Sequence, residues 1–333
     1  MLTTIIIIVA LALLFDFING FHDTANAIAT SISTRALSPR VAVFFAAILN
    51  FIGAVFSSEV AKTVGGKVAN PATIENGVYI VIAALLSAII WNLLTWYYGI
   101  PSSSSHTLIG SLAGAVIAGA GVGALNWSGF KEIVLILVLS PIIAFATGFV
   151  VMWIIRKLIL ASGNQSRSKM NRTFKSFQVL SAGLLSFSHG GNDAQKAMGI
   201  IVFGLVALGY QDNLDVPMWV KVAAATAMGL GTSIGGWRII KTMSKKLLKI
   251  EPINGFASDL NSSIVIQIST HLGMPLSTTH VISSSIIGTG SVMRFHDVKW
   301  GTVTRMVLTW VITIPISIVL AFIIYKILFA LVA

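Results

Sequence analysis

Apolar runs about twenty residues long recur along the chain, at 41–58, 78–98, 133–155 and 306–330, with at most one charge in each. As helices rising 1.5 Å per residue, runs of this length cross a bilayer core of ~30 Å. Residues 2–15 are equally apolar and have no basic segment before them, which predicts a first membrane helix rather than a cleaved signal. Directly after that run comes GFHDTANA, residues 20–27, and after it the uncharged stretch 28–34. Asp23 therefore sits between two membrane-like segments, where a charge costs ~2.5–3.5 kcal/mol on insertion scales.

Polar positions inside the apolar pattern are themselves periodic. Asp16, Asn19, Asp23 and Asn26 step by three, four and three, and Ser186, His189, Asp193 and Lys196 repeat those steps. On a helix each set forms one polar stripe. Gly20 and the pair Gly190–Gly191 are expected to unwind each helix beside its acid. Bare carbonyls, a carboxylate and an amide oxygen would then make an oxygen-rich cation site. Na⁺ suits such a site, because Ca²⁺ sites collect more carboxylates. The competing structural reading is an ion pair between Asp193 and Lys196, one turn apart.

Composition and charge agree with a membrane chain. Of 333 residues, 56% are hydrophobic and 10% charged, and the mean hydropathy is +0.89; a soluble domain carries roughly 25% charged residues. There is no cysteine, which excludes disulfides and thiolate metal sites. The net charge of +11 is gathered in a few loops, where it sets orientation and does not imply nucleic acid. The segment 156–175 is basic without an acid and is placed in the cytoplasm, as are 238–251 and 294–305. The loops 61–76, 121–129 and 210–217 then fall outside, as do both termini. The expected fold class is an all-α polytopic membrane protein in the cell membrane.

The chain also repeats. GIPSSSSH at 99–106 matches GMPLSTTH at 273–280; Ser111 and Gly114 match Ser285 and Gly288 downstream. Gly20, Asp23 and Ala27 match Gly190, Asp193 and Ala197. Charge places the matching loops on opposite sides, which is an inverted-topology repeat, the architecture of alternating access. The predicted organisation is a first repeat at 1–160, a basic linker at 161–176 and a second repeat at 177–333. Each repeat is expected to hold a broken helix and a re-entrant hairpin, for about 12 helical pieces in all. The hairpin tips carry no charge, as backbone buried at membrane depth requires.

At those tips Pro101 and Pro275 suit a first helical turn. Ser103, Ser104, Ser105, Ser277, Thr278 and Thr279 then lie beside free backbone N–H groups at the positive ends of two helix dipoles. Two such ends facing each other form a neutral, strongly donating cradle for an oxyanion. Ordinary N-capping is the alternative for each hydroxyl. His106 and His280 are expected to lock the hairpins. Asp259 is a further acid in an apolar helix. Asn50 is either a cation ligand or a helix-packing amide. Adjacent Ser105 and His106 cannot form a nucleophile–base pair on a helix, and no G-x-S-x-G elbow exists, so an enzyme is not expected.

The segments GFHDTANAIAT, SHGGNDAQKAMGI, GIPSSSSHTLIG, PINGFASDLNSS and GMPLSTTHVISSS together resemble the inorganic phosphate transporter family of secondary transporters. The resemblance spans nearly the whole chain. It implies phosphate symport driven by Na⁺ or H⁺, with Asp23 and Asp193 as the repeated acidic motif and with Asn26, Asn192 and Lys196 inside that motif. It aligns the two Ser/Thr segments with the family's anion site, and Asp259 with a position where Glu is common. Phe21-His22 stands where a small residue and Asn are usual. Expected phosphate ligands are thus Ser103–Ser105, Ser277–Thr279, Asn26 and Lys196. Expected cation ligands are Asp23, Asn26, Asp193, Asn192, Asp259 and Asn50. No cofactor is expected apart from Na⁺ as the coupling ion. Candidate partners are inorganic phosphate, Na⁺ or H⁺, the lipid bilayer and a second copy of the chain. The alternatives are a sulfate or other oxyanion symporter, since the family includes sulfate carriers, and a passive anion channel.

Overall fold

The computed structural model describes residues 2–74, 77–162, 166–243 and 247–332. Glu75 in the loop 61–76, Lys245 and Lys246 in the segment 238–251, linker residues 163–165 and the side chain of Arg167 lie outside the described residues. Among the described residues the chain is helical throughout, without a strand. The first half runs α1 (Leu2–Ser33), α2 (Pro39–Phe56), α3 (Glu59–Lys67), α4 (Gly77–Tyr98), α5 (Ser104–Ala120) and α6 (Trp127–Ala161). The second half repeats this series of lengths as α7 (Arg167–Ala207), α8 (Met218–Ile234), α9 (Trp237–Thr242), α10 (Pro252–His271), α11 (Thr278–Arg294) and α12 (Trp300–Val332). By length and hydropathy, five of these helices can cross a membrane: α1, α2, α4, α6 and α12. The others are too short or too rich in hydroxyl, amide and charged groups to qualify on that ground. The basic linker expected at 161–176 is mostly helix, because α7 already begins at Arg167.

Packing is reciprocal between the halves. Helix α1 lies on α8 and α2 on α7; α5 lies on α12 and α6 on α11; α3 packs on α7 and α9 on α1. Loops assigned by charge to one side also touch one another. Lys62 pairs with Asp215 at 3.1 Å and Lys67 with Glu132 at 2.6 Å, and the Asn126 amide donates to the Val68 carbonyl. At the other end Arg156 donates to the Val292 carbonyl and the Lys299 amide to the Leu247 carbonyl. These ion pairs are exposed and add little stability; their value is in showing which loops share an end. The α4–α5 pair opens toward the first cluster and the α10–α11 pair toward the second, so the halves are inverted.

The interruptions differ from expectation. Helices α1 and α7 run without a break through Gly20 and Gly190–Gly191. These glycines serve close approach. A Cβ on Gly20 would lie 2.5 Å from the Met228 carbonyl oxygen, and one on Gly190 would lie 2.1 Å from that of Asn50. The facing helices reciprocate: a Cβ on Gly231 would meet the Phe17 carbonyl at 1.9 Å, and one on Gly53 that of Phe187 at 2.0 Å. Small residues let membrane helices approach backbone to backbone. The unwound carbonyls proposed as cation ligands are therefore absent at these positions. The breaks lie elsewhere, at 57–58 between α2 and α3 and at 235–236 between α8 and α9. The free amides at the start of α3 are satisfied from inside the protein, since Val60 and Ala61 both donate to the Gln195 side-chain oxygen, at 2.8 and 3.2 Å.

This packing makes a direct prediction. Gly231→Ala should lower stability by roughly 3 kcal/mol, because the added methyl meets backbone that cannot move alone. Thermal unfolding in detergent checks it, with Gly301→Ala as control, since a Cβ there meets nothing within 4 Å. Equal unfolding temperatures would refute the close-approach reading.

Candidate functional site

Helices α5 and α11 start in the interior of the protein. Each is buried nearly all round, with fourteen of 17 residues inaccessible in both cases. Gly99 and Gly273 turn the chain with φ of +64° and +67°, a conformation only glycine adopts freely. Ser103 and Ser277 are the N-caps: their hydroxyl oxygens accept from the amides of His106 and His280 at 3.1 and 3.2 Å. For these two serines the capping reading holds. The other hydroxyls reach further. Ser105 donates to the Leu276 carbonyl at 2.8 Å, which joins one tip to the other. The imidazoles of His106 and His280 lie 4.4 Å apart, and Trp310 stacks on His280 at 3.9 Å while donating to the Pro101 carbonyl. The two imidazoles and the Trp310 ring thus pack one tip against the other.

Helix α1 brings Asp23 to that junction. Ser104 donates to its Oδ2 at 2.5 Å and Thr279 to its Oδ1 at 3.0 Å, so one carboxylate holds a hydroxyl from each hairpin. Asn26, one turn on, donates to the Thr279 oxygen at 2.9 Å. Asp23 also has a basic neighbour that spacing alone did not suggest. The imidazole of His22 lies 2.7 Å from Oδ1, and its other nitrogen 3.1 Å from the Thr95 hydroxyl, which accepts from Ser102.

The second half answers with the matching residues. Thr278, the counterpart of Ser104, donates to Asp193 Oδ2 at 2.9 Å. Lys196 bonds to Asp193 Oδ1, both groups fully buried, and the His189 imidazole lies 3.4 Å from Oδ2. The ion pair weighed from spacing is present. Asn50 does not reach either acid: its oxygen faces the other His189 nitrogen at 3.2 Å and its amide donates to Thr232. It joins α2, α7 and α8 and orients His189. Asn192 turns to Thr270 on α10 at 2.9 Å. Asp259 accepts twice from Thr30, at 2.8 and 3.0 Å, seven residues beyond Asp23 along α1. That is about 10 Å of rise, so Asp259, on α10, faces a separate position of the α1 stripe, at Thr30. Sequence reasoning missed His22, Thr30 and Thr95; the recurrence of Thr30 four residues after Asn26 was the one available signal.

The phosphate transporter family profile matches residues 19–321. A Bacillus subtilis protein named probable low-affinity inorganic phosphate transporter is 56% identical, over 98% of this chain and 97% of its own. A Rhizobium meliloti protein of the same name is 44% identical over 92% and 91%. A solved structure named the sodium-dependent phosphate transporter superimposes with a TM-score of 0.87, covering 98% of this chain and 99% of its own at 23% identity; it shares the fold. A family match across both repeats and relatives aligned nearly end to end agree: the chain belongs to the phosphate transporter family.

Proposed function

We propose that the protein carries inorganic phosphate across the membrane together with Na⁺, by alternating access around the meeting point of the two hairpins. The observation that carries this reading is Asp23, which accepts a hydroxyl from α5 and another from α11 at once. The names of the relatives support phosphate, and that of the similar solved structure supports sodium.

The chemistry follows from the donors. Ser104, Thr278 and Thr279 now give their protons to carboxylates, and Lys196 gives its charge to Asp193. A phosphate dianion brought beside either acid would be repelled by ~4 kcal/mol per charge pair at 4 Å and an effective dielectric of 20. A cation on each carboxylate reverses the balance. It cancels the repulsion and frees the hydroxyls and the ammonium to turn toward the anion, beside the N–H groups that begin α5 and α11. Anion and cation therefore bind together. The hairpins, entering from opposite ends, act in this reading as re-entrant gates that exchange roles through the inverted repeat.

Radiolabelled phosphate uptake into proteoliposomes tests it, with Na⁺ replaced by choline at fixed pH. Uptake should fall at least tenfold and be competed by arsenate. Undiminished uptake in choline would refute sodium coupling, and preferential competition by sulfate would reassign the substrate.

A further inference from the structure

The α1 stripe does not end at Asp23. Asn19 and Asp16 lie one and two turns back on the same face, both fully buried; Asp16 has Asn19 within hydrogen-bonding reach, and neither side chain bonds any other described residue. A third group is Asn92 on α4, also buried, with both amide atoms unpartnered among the described residues. Register brings it alongside. Helices α1 and α4 start at the same end of the molecule, Ile8 against Gly204 and Gly77 against Ala207, so they run in the same direction. They are pinned together by His22 and Thr95. Three residues back on each helix are Asn19 and Asn92, on the faces that make that contact. Asp16 lies a further turn along.

Buried polar groups are almost always paired, and an unpaired carboxylate at membrane depth is the costliest exception. Three under-satisfied polar groups brought to one level of two packed helices indicate a common ligand. We infer that Asp16, Asn19 and Asn92 form a further monovalent-cation site, distinct from those proposed at Asp23 and Asp193, that takes Na⁺. The donor set is a carboxylate and two amide oxygens, as a hard, singly charged ion requires. The second repeat has Ser186 where Asp16 stands, so this site exists once per chain. It lies nearer than Asp23 to the end where α1 begins, and places an ion where it is met before the hairpin junction. Its place in transport rests on the sodium reading above; its existence does not.

Equilibrium binding of radioactive Na⁺ to the purified full chain, without phosphate, tests it. Asp16→Asn should lose one Na⁺ per chain or weaken one class of site at least tenfold, and Asn92→Leu should act on the same ion. Asp23→Asn should remove a different one, so that Asp16→Asn with Asp23→Asn loses both. Should Asp16→Asn fail to purify, Asn19→Leu reads the same site. An unchanged Na⁺ count and affinity in these variants would overturn the inference, assigning the three groups to buried water. An unchanged count with a shifted pH dependence of uptake in Asp16→Asn would assign them to a proton and overturn it equally. Sodium binding that depends on Asp16 in a protein without phosphate uptake would retain the site and refute the proposed function instead.

Discussion

Asp23→Asn is expected to abolish sodium-driven phosphate uptake, by at least a hundredfold in initial rate, while the chain still folds. The substitution keeps shape and volume. An amide oxygen can still accept from Ser104 or Thr279, and the second hydroxyl can rotate to accept from the new amide. What is lost is charge. Each hydroxyl bond to a carboxylate contributes about 1.5–3 kcal/mol, against about 1 kcal/mol for a neutral pair. More important, a neutral side chain has nothing to cancel when a cation arrives. The anion cradle would then be open without sodium but would gain nothing from it. Uptake driven by a sodium gradient should vanish, whereas phosphate exchange between equal solutions should fall less. Size-exclusion behaviour and unfolding temperature check the fold. Sodium dependence equal to that of the unsubstituted protein would end the case for Asp23 as the coupling group.

How much of this could be read from the chain depends on whether the information is local. The polar stripes were legible because steps of three and four stand out against apolar sequence, and the Lys196–Asp193 pair because one turn separates its members. The tips were legible because two uncharged Pro-Ser/Thr segments recur at matching positions. Gly20 was misread because a glycine chosen for positive φ and one chosen for close approach look identical until the facing helix is known, and its partners Met228 and Gly231 are far along the chain. Thr30 with Asp259, and Asn50 with Thr232, were hidden for the same reason. His22 was overlooked since adjacent helical residues do not usually face each other, yet the imidazole is large enough to fold back on Asp23. The start of α7 was taken for a linker because its first turns show basic residues without an apolar stripe.

Lys196→Met should produce the second large effect, and its cause can be separated from its size. The ammonium and the Asp193 carboxylate are both sealed from solvent. Removing one partner of a buried pair typically costs 3–5 kcal/mol, because the remaining charge is uncompensated. Lys196→Met should therefore lower the yield of folded protein and its unfolding temperature, with Thr278 and His189 left beside Asp193 among the described residues. Asp193→Asn alone should destabilise as well, by stranding the ammonium. Asp193→Asn combined with Lys196→Met removes both charges, and its unfolding temperature should return close to that of the starting protein. Uptake then decides the role of the lysine. If Lys196 only neutralises Asp193, the double variant transports once it folds. If Asp193 holds a cation and thereby releases the ammonium to phosphate, the double variant folds and transports nothing. The second outcome is expected, since Lys196 is the counterpart of Asn26, whose amide already points at the Thr279 hydroxyl in the tip of α11. Uptake at the original rate in the double variant would reduce the pair to a structural one and leave the anion to the hydroxyls and helix starts alone.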